Sequence, residues 1–504
     1  FISPAREDLY SPWLLRDMDR AVSRIRQALD SGESIAIYSD SDLDGLTSLT
    51  ILSDLLKKLG CGRIFQRYPR DEEDYGLTCA IIDEFHQEAA TLLITLDSGI
   101  RDIDEIRYAR LIGIDTIVTD HHEPDTILPE CIIVNPRRHD CLYPYKNLAG
   151  VGVAFKLCHA LLMSYLPVHN KNFLLLFMDS GKCSLALVRN DVAEYISPET
   201  ESGEIELILE NRDIDTLILW GEWDGYPYIE SFQGNIYRYS AMTGNNHDRE
   251  GLPGTGSGQI TVFPDPISIQ EMLRGFLELQ RGRYKKITAF INNALQMVAI
   301  GTVADVMPLT DENRTLVSMG LVSLASTEHR GLNLLMKGAV PTSHLIGWTI
   351  APILNTPGRY GRSSLTAGFL MESGPSADVI YQELLDLNED RKNLVQWHIE
   401  SISNDVNLPV DGEGVLCISL ELPDGMAGLL ASRLSDMTGR PVIVLALPGR
   451  DGMIKGSGRS KSQDGFFNLI EDYGNRFERV GGHDRAFGFT IRLDLVDDFK
   501  REIT

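Results

Sequence analysis

The fold is decided by the stretch Ile35-Ala36-Ile37-Tyr38-Ser39-Asp40-Ser41-Asp42-Leu43-Asp44-Gly45. In it a short apolar run is followed by a turn with three aspartates. An uninterrupted apolar run of this length is typical of a strand that is buried on both faces of a parallel sheet. The residues after the turn predict a helix that is capped near Thr47 or Ser48 and closed by Gly60. The three aspartates therefore follow the carboxyl end of a predicted strand.

Two further stretches repeat this order of strand, polar turn and helix. Residues 92–96 form an apolar run that ends at Asp97-Ser98-Gly99, and residues 116–119 form a second run that ends at Asp120-His121-His122. Short strands that alternate with helices indicate a parallel sheet with helices on both faces. We therefore predict an α/β protein with a parallel-sheet domain, an inserted mixed module and a smaller second α/β domain.

Changes in composition along the 504 residues predict where these domains begin and end. Residues 171–265 contain 16 acidic and 6 basic residues with a cluster of Trp and Tyr, and alternating runs at 184–188 and 205–209 predict strands. Residues 243–258 have the Gly-rich composition of a flexible loop. The predicted organisation is a parallel-sheet domain at 1–168 and 266–340, an acidic, aromatic-rich insert at 169–265, a helical linker region at 341–410 and a second α/β domain at 411–504.

The overall charge is strongly negative, with 47 Lys and Arg against 72 Asp and Glu and a formal net charge of −25. A polyanion must therefore be held by a local basic groove or by bound cations, since no global positive field attracts it. Without a run of 18 apolar residues we expect no membrane span, and seven cysteines without a CxxC pair argue against a zinc–thiolate site. The chain opens without a charged-then-apolar leader, so we expect a cytoplasmic protein.

Acidic and imidazole side chains follow the ends of three predicted strands. They are Asp40, Asp42, Asp44, Asp97, Asp120, His121 and His122. Ligands bind beyond the carboxyl ends of the strands in open parallel sheets. Carboxylates gathered there would repel one another, and divalent cations remove that repulsion. Carboxylates with one or two imidazoles suit Mn²⁺ or Mg²⁺, and two such ions about 3.5–4 Å apart serve phosphoester hydrolysis.

Each of these motifs taken singly has a simpler interpretation. An Asp-rich turn after a strand is usually a helix N-cap or a solvated loop, and a pair of histidines is more often polar packing than a metal site. A calcium loop is a further alternative for residues 40–44, but the Glu that an EF-hand needs twelve residues on is missing. Only the combination at three strand ends favours a metal centre.

Four short segments resemble motifs of the DHH phosphoesterase superfamily. Residues 38–48, 96–100 and 119–122 resemble its first three motifs, and residues 301–309 its fourth. Gly481-Gly482-His483, with Ala486 and Gly488-Phe489, resembles the signature of the accompanying DHHA1 domain. Segments that resemble the RecJ family of single-strand-specific exonucleases are 1–18, Arg70 with 73–77, 134–136, 148–157, 312–314 and 456–460. The resemblance covers residues 1–168 and about 290–495, and it implies a DHH domain followed by a DHHA1 domain.

The resemblance implies a role for each residue of a two-ion centre that binds Mn²⁺ or Mg²⁺. Asp42 would ligate the first ion and Asp44 the second, and Asp97 would bridge both. His121 and Asp305 would complete the second site. Asp305 is implied by the resemblance alone, since its position would otherwise pass as the end of a helix.

Two catalytic residues are implied beside the ions. His122 would lie close to the scissile phosphate as a ligand, an acid or an electrostatic aid. Asp40 would be a ligand or would orient one.

A local basic segment stands out in the acidic chain. Residues 433–461 contain six basic residues and two acidic ones, and Gly456-Ser457-Gly458-Arg459-Ser460 predicts a turn that presents N–H groups and a guanidinium to a phosphate. The alternative is a plain β-turn with one solvated Arg. By resemblance the residues that contact phosphate would be Ser457, Arg459, His483, Arg70 and Arg359, although His483 could be an ordinary turn histidine and the last two could form surface ion pairs.

The activity implied by the resemblance is exonuclease hydrolysis of single-stranded DNA from 5′ to 3′, in repair and recombination. The alternatives are a phosphodiesterase of short oligoribonucleotides or cyclic dinucleotides, and a catalytically inactive scaffold. Pro423 stands where RecJ proteins generally carry His, so we expect one phosphate contact to be missing. No OB-fold follows the second domain within these residues, so we expect weaker binding of long strands unless a partner or an extension beyond them supplies it. The insert either docks a protein partner or uses its aromatic residues as its own core.

Overall fold

The structure, a computed structural model, describes residues 9–503 of the 504-residue chain with some gaps. The positions left out within that range are 71–72, 74–75, 167, 191, 222, 224–225, 240–268, 270–284, 373, 406–413, 451, 462–464, 472–475 and 484. The chain forms two compact units, the first made mainly of residues up to Ser326 and the second mainly of the residues from Thr327 onwards.

Five parallel strands form the first sheet, in the order β2-β1-β3-β4-β5. The strands are β1 Ser34–Ser39, β2 Ile64–Arg67, β3 Ala90–Leu96, β4 Asp115–Thr119 and β5 Ile132–Val134. The helices of this part are α1 Met18–Asp30, α2 Leu43–Lys58, α3 Cys79–Gln87, α4 Ile103–Leu111 and α5 Gly150–Met163, after a 3-10 turn at Pro12–Leu14. The predicted parallel sheet is confirmed, since its buried apolar strands need helices on both faces.

Helix α2 begins at Leu43, earlier than the cap that was predicted near Thr47 or Ser48. The carboxylate of Asp42 explains the earlier start, because its Oδ1 accepts a hydrogen bond from the N–H of Gly45 over 3.0 Å. A side-chain acceptor at this position satisfies an amide that has no partner within the helix. Only three residues therefore separate β1 from α2, so the aspartates stay close to the end of the strand.

The insert contains a second sheet, in the order β10-β9-β6-β7-β8. Its elements are β6 Asn172–Asp179, β7 Lys182–Arg189, β8 Val192–Thr200, α6 Ser202–Asn211, β9 Thr216–Trp220, α7 Pro227–Glu230 and β10 Asn235–Tyr239. The predicted strand at 184–188 lies within β7, but the one at 205–209 is wrong. Ile205, Ile208 and Leu209 share one face of α6 and pack into the core of the insert, as helical spacing allows. The predicted loop at 243–258 lies outside the described residues.

The aromatic side chains described in the insert belong largely to its own core. Trp223 is 2% exposed and Tyr228 is 9% exposed. The indole Nε1–H of Trp223 donates to the carbonyl of Trp220 over 2.8 Å, and Trp220 itself packs against buried residues of the sheet. For these residues the contacts favour core packing over an exposed docking surface.

A helical region follows the insert, and its first helix ends directly before Asp305. The helices are α8 Lys285–Ala304, α9 Asp311–Leu324, α10 Arg330–Met336, α11 Ser343–Leu345, α12 Ala351–Arg359, α13 Ser363–Met371 and α14 Ser376–Asp405, with a π-helical turn at Ile346–Ile350 between α11 and α12. Among the described residues one stretch, Ile287–Ala304, is long and apolar enough to cross a membrane by length and composition alone. Since 61% of it is buried inside the protein, it also has the character of a core helix.

A third sheet forms the second α/β domain, in the order β11-β12-β13-β15-β14. Its strands are β11 Leu416–Glu421, β12 Val442–Arg450, β13 Met453–Arg459, β14 Phe477–His483 and β15 Ala486–Arg492. Its helices are α15 Ala427–Thr438, α16 Asn468–Glu471 and α17 Val496–Ile503, and short 3-10 turns lie at Asp424–Met426 and Leu493–Leu495.

The turn predicted at 456–460 is wrong, because residues 456–459 lie inside strand β13. The two glycines make room for aromatic rings and do not reverse the chain. A Cβ atom at Gly456 would lie 2.3 Å from the ring of Phe489, and one at Gly458 would lie 2.1 Å from the ring of Phe487. Since side chains alternate along a strand, Ser457 and Arg459 lie on the opposite face from these rings.

Candidate metal centre and phosphate site

Three strand ends of the first sheet carry aspartates that extend the hydrogen-bond ladder. The N–H groups of Asp40, Asp97 and Asp120 each donate to a carbonyl of the adjacent strand, over 3.3, 2.9 and 3.1 Å. The residue that follows each strand is therefore still hydrogen-bonded to the adjacent strand. The sheet thus holds these three backbones side by side at its carboxyl edge.

The side chains around this edge form three overlapping groups, and within each group the ligand atoms lie within 4.8 Å of one another. The groups are Asp40, Asp42 and Asp97; Asp44, His121 and Asp305; and Asp97, His121 and His122. His121 links two of them, because its Nε2 lies 3.1 Å from Oδ1 of Asp97 and 3.8 Å from Oδ2 of Asp305. The seven residues to which the resemblance gave a role as ligand or catalytic group each lie in at least one group, and they are Asp40, Asp42, Asp44, Asp97, His121, His122 and Asp305.

Asp97 lies at the centre of this arrangement and is only 2% exposed. Its φ of +56° is in the left-handed region, which is uncommon for residues other than glycine. Helix α5 begins against its carboxylate, since a Cβ atom at Gly150 would lie 2.5 Å from Oδ1 of Asp97. Glycine therefore allows the N-terminus of α5 to approach, and that end of a helix favours a negative charge.

The ring of His121 has the tautomer that a metal ligand needs. Its Nδ1 lies 3.0 Å from the carbonyl of Leu148, and only a protonated nitrogen can donate to a carbonyl. The lone pair is thereby left on Nε2, the atom that points to Asp97 and Asp305. Burial lowers the pKa of His121 to about 4, and the nearby His122 contributes to that lowering, so the ring is neutral at physiological pH.

His122 and Asp120 form a hydrogen-bonded pair beside the centre. Nδ1 of His122 lies 2.8 Å from Oδ1 of Asp120, and the same oxygen accepts from the N–H groups of His121 and His122. Burial lowers the pKa of His122, but the bond to Asp120 and the charges of Asp120, Asp40 and Asp305 outweigh burial and raise it overall. Burial also raises the pKa of Asp120, and there the bond and charge of His122 prevail and lower it.

Asp120 is a residue beside the candidate site to which the sequence analysis gave no individual role. Its carboxylate is 1% exposed, and Oδ2 accepts from the N–H of Ile100 over 3.1 Å. Its Oδ1 holds the backbone N–H groups of both histidines and the ring of His122, and it does not belong to any of the three ligand groups. Its place before His121-His122, at a strand end, was the available signal.

Asn313 is a second residue that sequence reasoning left without a role. Its Nδ2 donates to the carbonyls of Asn147 and Pro308, over 2.6 and 3.1 Å. Asn147 precedes the residue whose carbonyl orients His121, and Pro308 follows Asp305 by three positions. This buried amide thus links two loops by hydrogen bonds. One contains Leu148, whose carbonyl binds His121, and the other contains Asp305. Only the resemblance of residues 312–314 pointed to it.

The donor set fits hard divalent cations. The three groups contain carboxylates and imidazoles, and no cysteine belongs to any of those found in the described part of the chain. Oxygen donors with one or two neutral imidazoles are typical of Mn²⁺ and Mg²⁺ sites. Ligand atoms within 4.8 Å of one another can share an ion after small side-chain movements.

In the second unit, Ser457 and Arg459 lie beside the N-terminus of helix α15. A Cβ atom at Gly428 would lie 2.6 Å from Nη2 of Arg459 and 3.4 Å from Oγ of Ser457. The N–H groups at the start of a helix, a hydroxyl and a guanidinium together form a typical binding site for a phosphate. Nη1 of Arg459 is anchored by the carbonyls of Gly458 and Phe487, and burial lowers the pKa of Arg459.

Arg359 belongs to the same cluster of positive charge. Its Nη1 donates to the carbonyl of Gly425 over 3.0 Å. Burial lowers the pKa of Arg359, and the charges of Arg391 and Arg459 lower it further. The charge of Arg459 is therefore felt at the guanidinium of Arg359.

Two sequence-predicted phosphate contacts are not joined to this cluster by any contact that the structure describes. Arg70 is exposed, and its backbone N–H donates to Glu73 over 2.8 Å. His483 ends strand β14 opposite Ala486, and its side chain lies outside what the structure describes.

Two parts of the chain match models of known protein families. Residues 34–178 match the model of the DHH family N-terminal domain, and residues 412–504 match that of the DHHA1 domain. The single-stranded-DNA-specific exonuclease RecJ of Bacillus subtilis is 27% identical over 511 residues, covering 100% of this chain and 49% of that protein. The RecJ of Escherichia coli is 28% identical, covering 97% of this chain and 69% of that protein. The chain thus spans about half of the first relative and about two thirds of the second.

Solved structures share the fold. A crystal structure of exonuclease RecJ bound to manganese has a TM-score of 0.63 at 23% identity, covering 97% of this chain and 94% of that one. A structure of RecJ in complex with Mn²⁺ from Thermus thermophilus has the same TM-score and identity and covers 97% of this chain and 54% of that one.

Proposed function

The chain carries the DHH and DHHA1 domains of one phosphoesterase superfamily, and from this premise we propose that it is a metal-dependent exonuclease that hydrolyses single-stranded DNA. The observation that carries the proposal is the convergence of Asp97, Asp305 and the Nε2 of His121, with Nε2 3.1 Å from Asp97 and 3.8 Å from Asp305. The proposed direction is 5′ to 3′, and the proposed setting is DNA repair and recombination. The names of the RecJ relatives support the substrate class.

We infer that two Mn²⁺ or Mg²⁺ ions occupy the centre. Asp42, Asp44, Asp97, His121 and Asp305 would hold them, with Asp97 shared. When bound, such ions lower the pKa of a water and stabilise charge on the attacking and leaving oxygens of a phosphodiester. The RecJ structures with manganese support this choice of cofactor.

The protein's own groups supply orientation and protons. His121 presents the lone pair of Nε2 because its Nδ1 proton is held by the carbonyl of Leu148. His122 keeps a proton at Nδ1 on Asp120, so its Nε2 is the atom available to a phosphate oxygen. With its raised pKa, His122 can stay protonated at higher pH than an ordinary histidine and can stabilise a developing negative charge. Asp40 contributes a further charge that favours protonated His122.

Phosphate groups of the strand would be held by the second unit. Arg359, Ser457 and Arg459 are the proposed contacts, and Arg70 and His483 remain proposed from sequence resemblance. Contacts of this kind supply affinity without reading the bases, so the activity should depend little on base sequence. A partner protein that binds the insert and a cytoplasmic location remain proposals, and the buried Trp223 and Tyr228 give the former no support.

A nuclease assay with matched substrates tests the proposal. Purified protein with Mn²⁺ should degrade 5′-phosphorylated single-stranded DNA, leave blunt duplex largely intact and lose activity in EDTA. A dinucleotide series in the same assay separates the exonuclease from a short-oligonucleotide phosphodiesterase. Hydrolysis of dinucleotides without hydrolysis of long strands would replace the proposed substrate, and no hydrolysis of either would overturn the proposal.

A further inference from the structure

A groove between helices α14 and α15 is lined by basic side chains that have no part in the function proposed above. Its volume is about 420 Å³. Arg391, Lys392 and Arg433 line it together with Asp436, and aliphatic side chains such as Val395 and Leu429 complete its wall. The groove therefore combines positive charge with apolar surface.

Two arginines of the groove have no carboxylate partner among the described residues. Neither Arg391 nor Arg433 has an ion pair with any residue that the structure describes. The Nε of Arg391 is buried without a hydrogen-bond partner in the same part of the chain. Burial lowers the pKa of Arg391, and the charge of Arg433 lowers it further. A buried donor without an acceptor is costly unless a ligand atom joins it, and the exposed Arg433 adds positive charge beside it.

The acidic side chains beside the groove already have cations of their own. A carboxylate oxygen of Asp436 lies 3.3 Å from the Nζ of Lys461. Glu389 lies 3.1 Å from the Nζ of Lys392 on the next helical turn, so Lys392 adds little net charge. The positive field of the groove therefore comes from Arg391 and Arg433.

Arg391 connects the groove to the cluster of Arg359 and Arg459. The charge of Arg391 contributes to the lowered pKa of Arg359, as does the charge of Arg459. The charges of Arg459 and Arg391 are thus felt at Arg359, and the charge of Arg433 is felt at Arg391. A row of separate cations fits a polymer with regularly spaced negative charges better than it fits one small anion.

We propose that the groove of Arg391 and Arg433 is a second phosphate subsite, which holds the backbone of a single-stranded nucleic acid beyond the phosphate at Arg459. The inference rests on the proposed function, because it extends the track of that same strand. Arg391 and Arg433 would each contact a phosphate, and the aliphatic wall would pack against sugars or bases. Both contacts are independent of base sequence.

Equilibrium binding without hydrolysis tests the subsite. Fluorescence anisotropy in EDTA measures the affinity for an oligothymidylate of about twenty nucleotides across a range of salt concentrations. Arg433→Gln should weaken binding about tenfold, and the slope of log affinity against log salt should become shallower by about 0.7 for the lost phosphate contact. Arg391→Gln should act in the same way. For a trinucleotide, which is too short to reach both subsites, the variants should bind as tightly as the wild type.

Arg492→Gln is the matched control, because Arg492 is an exposed arginine of the second unit that is paired with Asp494 over 2.7 Å. It removes the same charge, and the affinity and the salt slope should stay those of the wild type. A thermal melt shows whether Arg391→Gln still folds, and Arg433→Gln provides the test if it does not. Unchanged affinity and slope in Arg433→Gln would overturn the subsite alone, provided that the wild type binds and degrades the strand. A wild type that neither binds nor degrades it would overturn the proposed function as well.

Discussion

The carboxylates at the edge of the first sheet form a cluster of negative charge. The guanidiniums of the second unit form a cluster of positive charge. In the first, Nε2 of His121 lies 3.1 Å from a carboxylate oxygen of Asp97 and 3.8 Å from one of Asp305. In the second, burial and the charge of Arg459 lower the pKa of Arg359. Proteins rarely gather like charges without a compensating ligand. The comparison indicates cations for the first cluster and phosphates for the second.

The two clusters also differ in how rigidly they are held. Asp97 and Asp120 are fixed by main-chain hydrogen bonds at strand ends, and each is almost fully buried. Arg459 and Arg359 are long side chains anchored by carbonyls, and both are partly exposed. Chemistry at a phosphate needs precise placement of ligands, whereas holding a flexible strand does not. We therefore expect changes in the first cluster to act on turnover and changes in the second to act on affinity.

The largest effect should come from Asp97→Asn, which removes the carboxylate shared between two ligand groups. Turnover of single-stranded DNA with Mn²⁺ should be abolished, while the protein still folds and still binds the strand in EDTA. Rates are measured by release of nucleotides from end-labelled DNA. Turnover close to the wild-type rate would contradict the proposal that the first cluster binds metal ions.

A smaller loss is expected for Asp120→Asn, because Asp120 orients His121 and His122 without being in a ligand group. Residues that orient ligands typically contribute about 10–100-fold to activity or metal affinity. Without the carboxylate the pKa of His122 should fall, so the limb of the pH–rate profile that belongs to His122 should move to lower pH. An equal loss of rate at every pH would indicate a purely structural role. Asp125→Asn, at an exposed carboxylate, is the matched control.

Arg459→Gln tests whether the second cluster acts on affinity and not on turnover. It should raise KM for long single strands several-fold with little change in kcat, because a phosphate contact made equally in the ground and transition states affects binding only. The salt slope of binding should become shallower by about 0.7. Steady-state kinetics with long strands give both parameters, with Arg492→Gln as control. A fall in kcat at unchanged KM would contradict the division between the two clusters.

The smallest effect concerns Asp102, a carboxylate of the first unit that lies outside the three ligand groups. Burial raises its pKa to about 6, and its Oδ2 accepts from the N–H of Leu77 over 3.2 Å. Since the folded state then binds a proton more tightly than the unfolded state, stability should fall as pH rises from about 4 to about 6. Asp102→Asn should remove this fall and melt at a higher temperature than the wild type at pH 7 in EDTA. Identical melting temperatures for Asp102→Asn and the wild type across that pH range would contradict this prediction.

The sequence predicted the first sheet well because its signals are local. An apolar run that ends in Asp or His identifies a buried strand and its carboxyl end, and the rule for open parallel sheets then brings those ends together. The start of α2 was misplaced because Asp42 is both a proposed ligand and the acceptor for Gly45. Residues 205–209 and 456–460 were misread because short apolar or glycine-rich runs do not reveal what packs against them.

Other residues could not be found from the sequence for a different reason. Asn313 and Arg391 depend on partners that lie far away in the chain, at Asn147 for the former and at Arg359 and Arg433 for the latter. No local pattern distinguishes them from ordinary helix residues. Asp305 was found only through resemblance to a known motif, since a single Asp after a helix has no distinctive spacing.

Anomalous scattering from crystals soaked in Mn²⁺ tests the central claim most directly, since it locates manganese without relying on activity. We predict two manganese peaks held by Asp42, Asp44, Asp97, His121 and Asp305, and loss of at least one peak in Asp97→Asn. Crystals that show no manganese among these side chains, or show it elsewhere in the molecule, would contradict the account.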